Sequence, residues 1–117
     1  MATTNIGQKR AKAAWGFAQG KNGTYASYVK KFPMYIKTNG LINAVAFAYS
    51  KEKENEWKIL YNNIEEYFKQ HTQILTFTDK DPLIQVLINA DENALRMATA
   101  ETLALFTWLK RFVKDDN

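Results

Sequence analysis

From Trp57 onward the apolar side chains fall at Trp57, Leu60, Tyr61, Ile64, Tyr67 and Phe68, and the series ends at His71. Steps of three and four gather these positions on one face of an α-helix, and no strand register does so. Glu54 precedes Lys58 by four residues and Glu65 precedes Lys69 likewise. This acid-before-base order stabilises a helix by about 0.3–0.5 kcal/mol per pair. The same period governs almost the whole chain. Ala11, Ala14, Trp15 and Ala18 mark one face of a first helix, with Lys9, Lys12 and Gly16 opposite. Gly20-Lys21-Asn22-Gly23 stops it, and Thr24 is placed to cap a second helix carrying Tyr25, Tyr28, Val29, Phe32 and Ile36. Pro33 removes a donor there and crowds the carbonyl of Val29, which predicts a kink or a break.

Asn39-Gly40 reads as a helix end with a left-handed residue, and the nearly all-apolar segment Leu41 to Tyr49 as a buried central helix. Residues Thr72 to Lys80 form a connector, Asp81-Pro82 opens a short helix through Ile88, and Asp91 starts the last one. In that helix Glu92 stands four residues before Arg96, and Ala94, Ala98, Leu105, Trp108, Leu109 and Phe112 make a broad apolar face. The expected architecture is an all-α, compact bundle of five to six helices. Residues 1–117 form one helical domain, long enough to bury about two thirds of the surface its unfolded chain exposes.

The chemistry of many enzymes is excluded by what the chain lacks. It has no cysteine, and so no disulfide framework, thiolate zinc site or cysteine nucleophile. Its one histidine, His71, ends an aromatic stripe and reads as a core-edge imidazole, neither ligand nor base. Asp79 and Asp81 have the spacing of a calcium loop without its glycine or closing glutamate, and read as a turn and a helix cap. Ser50-Lys51-Glu52-Lys53 matches a serine nucleophile motif whose companions are missing, and the five glycines form no phosphate loop or dinucleotide fingerprint. Asn22-Gly23-Thr24 reads as a turn with a cap, not as a glycosylation site. The chain shows no export signal or apolar run of membrane-spanning length, so we expect a soluble cytoplasmic protein with no catalytic residues, no metal and no cofactor.

What the chain does carry is a charge asymmetry. Up to Lys51 there are eight basic side chains (Lys9, Arg10, Lys12, Lys21, Lys30, Lys31, Lys37, Lys51) and no carboxylate. From Glu52 onward eight basic residues face twelve acidic ones, so the net +4 divides into +8 and −4. The first half has no acid of its own to neutralise it, which points to an external polyanion such as a nucleic-acid backbone. Lys9 and Lys12 share the polar face of the first helix. Lys30 and Lys37 share a side if the second helix continues through Pro33, with Lys31 about 100° away. Such lysines bind as point charges, tolerant of sequence and sensitive to salt. The cluster Lys110, Arg111 and Lys114 is equally accounted for by the dipole of a final helical turn. Most aromatics follow core stripes and are not read as a base-stacking platform; Tyr35 and Tyr49, which stand off the stripes, are the exceptions.

Two segments together resemble a known family. One runs from Tyr28-Val29-Lys30-Lys31-Phe32-Pro33-Met34-Tyr35-Ile36-Lys37-Thr38-Asn39-Gly40-Leu41 through Ala44-Val45-Ala46-Phe47 to Ser50-Lys51. The other is Ala98-Thr99-Ala100-Glu101-Thr102-Leu103-Ala104-Leu105, ending in Trp108-Leu109-Lys110-Arg111-Phe112. Their order, separation and chain length are similar to the small helical subunit of the type III-B CRISPR effector, the fifth protein of the Cmr (RAMP module) complex. The chain departs from the family at Thr72 to Ile88, which has no alignable pattern. It departs again at Leu95, which precedes Arg96 where the family tends to carry a tyrosine.

The resemblance implies a non-catalytic part of an RNA-guided antiviral complex. Small subunits of that family stack head to tail as a minor filament beside the backbone subunits that hold the guide and cleave the target. Its partners would be the backbone and large Cmr subunits, further copies of itself, and the guide RNA/target RNA, with no membrane and no small-molecule substrate. Carried over by position, the RNA-binding candidates are Lys30, Lys31, Lys37 and Lys51 in the first segment and Arg96, Lys110 and Arg111 in the second. Lys9 and Lys12 join them on charge alone. The alternative is a helical protein–protein adaptor whose basic face meets an acidic protein partner and has no nucleic-acid role.

Overall fold

The computed structural model describes residues 5–51, 53–78 and 80–113. Glu52, Asp79 and Lys114, and with them the serine motif, the calcium-loop spacing and the third member of the C-terminal basic cluster, lie at least partly outside these residues. Among the described residues the chain forms six helices and no strand: α1 (Ile6–Ala18), α2 (Gly23–Asn39), α3 (Leu41–Ser50), α4 (Asn55–Gln70), α5 (Leu83–Asn89) and α6 (Glu92–Phe112).

Local sequence accounts for most of the helix starts. Asn5 and Gln8 close a reciprocal capping box on α1. Asn22, not Thr24, caps α2, its side chain accepting from the Tyr25 N–H at 2.9 Å. Asp91 caps α6 as expected, accepting from the Ala94 N–H at 2.7 Å. The short α5 differs. Its N-cap is Pro82, and Asp81 instead accepts from the Thr78 hydroxyl. The first-turn donors of α5 are satisfied by α4: Leu83 N–H by Glu65 (2.8 Å) and Ile84 N–H by the Tyr61 hydroxyl (3.2 Å).

Helix α2 runs unbroken through Pro33, with no interruption before Asn39. The lost hydrogen bond is outweighed by burial of Val29, Phe32 and Ile36 on both sides of the proline. Gly40 then serves two helices, its N–H bonding Ile36 O at 2.7 Å and its carbonyl accepting from Ala44 N–H at 3.1 Å. Its φ of 87° is positive, as expected, but its ψ of 162° is extended and not left-handed helical. No atom stands where a Cβ would project, so only backbone strain opposes a side chain. We expect Gly40→Ala to cost about 1–3 kcal/mol in denaturant unfolding; an unchanged midpoint would refute the strain.

The core is assembled by α1 on α6, α2 on α3, α4 and α6, and α3 on α4 and α5. The α4 stripe is buried from Trp57 to Phe68 as its period predicts, and His71 lies exposed at the helix end, stacked on Tyr67 at 5.7 Å. Three expectations about faces are corrected. In α1 the buried side is Ala13, Ala14, Phe17 and Ala18, while Trp15 is 56% exposed. Helix α3 buries Leu41, Ala44, Val45 and Ala48 but leaves Asn43, Phe47 and Tyr49 outside, so it is an outer helix. In α6 the fully buried aromatic is Phe106, stacked on Phe32 at 5.1 Å, and Trp108 and Phe112 are half-buried. Of the expected i,i+4 pairs only Glu65–Lys69 forms, at 3.6 Å. Glu54 lies outside α4 as its N-cap, and neither it nor Glu92 makes an ion pair with its expected partner.

Candidate nucleic-acid interface

The unbroken α2 decides where its cations lie. Seven residues is two turns, so Lys30 and Lys37 stand about 10 Å apart on one side of the helix. At the C-terminal end of that face α2 meets the last turns of α6. Pro33, Lys37, Leu103, Thr107, Lys110 and Arg111 line an open cleft of about 440 Å³ there. Three residues selected from two distant segments thus converge. Lys37, Lys110 and Arg111 are all exposed, and among the described residues no carboxylate lies within ion-pair distance of them. The other residues lining the cleft, Pro33, Leu103 and Thr107, are uncharged, so none of them repels a phosphate. Lys110 offers a compact ammonium. Arg111 offers a planar fork whose guanidinium lies 5.5 Å from the Trp108 ring.

The remaining candidates are distributed. Lys31 is exposed, its ammonium 5.9 Å from the Tyr28 ring, and Lys51 is half-buried with its ammonium 5.0 Å from the Phe47 ring. Arg96 is exposed but fourteen residues before Lys110, about 21 Å along the α6 axis. Lys9 and Lys12 line a second cleft, between α1 and α4, with Lys21, Asn63, Glu66 and His71. Lys21 was not singled out from the sequence, because only the turn after α1 brings it back beside that helix. This cleft contains a carboxylate and is electrostatically mixed.

Arg10 departs from the charge argument altogether. Its guanidinium donates to both oxygens of Glu101, at 2.7 and 2.8 Å, and the Tyr67 hydroxyl donates to the same carboxylate at 2.5 Å. Glu101 is only 6% exposed. The hydrogen bond from Arg10 holds its carboxyl below the usual glutamate range, against the opposing effect of burial. The same bond raises Arg10, and burial, followed by the Glu101 bond, raises Tyr67. One cation of the acid-free half therefore has its countercharge inside the protein, 91 residues away. Sequence inspection offers no signal for this beyond a lone glutamate on an otherwise apolar helix face.

Among the described residues no three histidines or carboxylates stand close enough to hold a metal ion, and no helix is long and apolar enough to cross a membrane. The arrangement suits electrostatic and stacking contact with an extended polyanion. A family model described as CRISPR-associated protein (Cas_Cmr5) matches residues 6–115. That span holds all six helices and every basic residue placed above, and the chain belongs to the Cas_Cmr5 family of CRISPR-associated proteins.

Proposed function

We propose that this chain is the non-catalytic small subunit of a type III-B Cmr complex and contacts the guide/target RNA through the α2–α6 cleft. In this reading the whole chain acts in the cytoplasm as one helical domain. It stacks with further copies of itself as a minor filament and abuts the backbone and large subunits. The observation that carries the RNA contact is the convergence of Lys37, Lys110 and Arg111 on a neutral cleft with no carboxylate in ion-pair reach among the described residues. Lys30 and Lys31 extend the basic surface along α2, and Lys9 and Lys12 supply a second one beside α1. Lys51 and Arg96 do not line the cleft and are further candidates for RNA contact. Base pairing would supply the sequence specificity, so point charges along the backbone suffice.

The test is the triple reversal Lys37→Glu, Lys110→Glu, Arg111→Glu in the assembled complex. All three side chains are exposed, so the fold should hold. RNA affinity should fall by at least about tenfold, and the slope of log affinity against log salt should shrink by about 2, the share of three phosphates. Unchanged affinity and slope would remove the cleft from the RNA path. Retention of RNA affinity with loss of one protein partner would favour the adaptor reading instead.

A further inference from the structure

Trp15 is the anomaly of α1. It is 56% exposed, and no other exposed large apolar side chain lies in the second half of α1 or the last three turns of α6. It is also not isolated from the basic cleft. Its ring meets Phe112 edge to face at 5.3 Å, Phe112 stacks on Trp108 at 5.9 Å, and Trp108 lies under the Arg111 guanidinium at 5.5 Å. Arg111 is at the same time a wall of the cleft that holds Lys37 and Lys110. An aromatic ladder from α1 to α6 therefore ends on Arg111, a residue of the cationic groove.

We infer that Trp15 is a stacking platform for an unpaired RNA base, next to the groove that holds the strand's phosphates. This deepens the proposed function and rests on its reading of the α2–α6 cleft. Single-strand sites combine these two elements: a basic track for the backbone, and aromatic faces that accept any base because every base has a π-face. An indole more than half exposed has ring surface left for a base. Phe112, itself stacked on Trp108, holds it from the protein side, so little side-chain freedom is lost when a base lands. The alternative occupant is another protein. That fits less well, because a protein interface is centred on a contiguous apolar patch, whereas Trp15 is a single exposed ring whose aromatic partner, Phe112, is half-buried and leads through Trp108 to the Arg111 cation. Trp57 is 3% exposed and out of contact with a ligand, so a contact quench of the tryptophan emission reports on Trp15 and Trp108.

The experiment titrates the full-length chain with single-stranded oligoadenylate and with an abasic ribose-phosphate strand of the same length and charge, following tryptophan fluorescence and affinity. We expect oligoadenylate to quench the emission and bind about tenfold tighter than the abasic strand. Trp15→Ala should bring oligoadenylate down to the abasic level without weakening the abasic strand. Lys110→Glu with Arg111→Glu should weaken both strands. Equal, salt-sensitive binding of the two strands with no quench would overturn the platform and leave the cleft reading standing. Failure of either strand to bind would overturn both. Should Trp15→Ala unfold the chain, Trp108→Phe leaves Trp15 as the one exposed indole: a retained quench and affinity difference support the platform, and their loss overturns it.

Discussion

Replacing Glu101 with alanine will destabilise the protein by roughly 2–4 kcal/mol, because it is a charged side chain buried between helices. Three groups depend on it. Both donors of Arg10 and the hydroxyl of Tyr67 converge on one carboxylate, which ties α1 and α4 to α6. Removing the acid leaves the Tyr67 hydroxyl without an acceptor and the guanidinium without its countercharge. The estimate lies below that for a fully buried pair, because the Arg10 side chain is 26% exposed and can turn toward water. Arg10→Ala should cost less than Glu101→Ala, and the double variant should be less destabilised than the sum of the two. Simple additivity in a double-mutant cycle would show that the pair is energetically idle.

The same cluster sets a pH dependence whose sign follows from the depressed carboxyl. Glu101 titrates below its ordinary value of 4.5 in the folded chain and near that value in the unfolded one. Its contribution is therefore complete above that range and is lost as pH falls through the folded pKa. The stability gap between the wild type and Glu101→Ala should be widest near neutrality and close progressively in acid. A gap that stays constant on acidification would place the stabilisation in packing, not in the ion pair.

Trp57→Ala should be comparably severe, costing about 3–5 kcal/mol in thermal or denaturant unfolding. The Trp57 ring is 3% exposed and is the hub of an aromatic cluster. Tyr28 stacks on it at 4.1 Å and 11°, Phe47 meets it edge-on at 5.1 Å, and Tyr35 and Phe32 stand at 6.1 and 6.3 Å. These partners come from α2 and α3, so truncation opens a cavity where three helices meet. Trp108→Ala removes a ring of the same size but should cost no more than about half as much, because that ring is half-buried and its stacking partner Phe112 is too. Equal losses for the two variants would contradict the assignment of Trp57 as the hub. A near-native midpoint for Trp57→Ala would do the same.

The contrast between these tryptophans marks the limit of periodicity. Trp57 heads an unambiguous stripe, and its burial is legible from Leu60, Tyr61 and Ile64 alone. In α1 the true face is Ala13, Ala14, Phe17 and Ala18, so grouping Trp15 with Ala14 and Ala18 by spacing put it on the buried side while tertiary packing left it outside. Of the kink or break that Pro33 predicts, the break does not occur, because the helix is held together by burial of Val29, Phe32 and Ile36. The cap of α5 was out of reach for a third reason: its acceptors, Glu65 and Tyr61, belong to another helix.

Properties set within a few residues were determined by the sequence itself: the all-α class, the α4 face, the Asp91 cap, the positive φ of Gly40 and the absence of acids before Glu52. They depend on periods and caps that operate over one or two turns. Tertiary structure alone decided that Arg10 is spent on Glu101, that Lys37 meets Lys110 and Arg111, and that Trp15 faces outward against Phe112. Each of these rests on a contact between helices far apart in the chain, and the geometry of such a contact follows from how whole faces pack, not from the residues next to it.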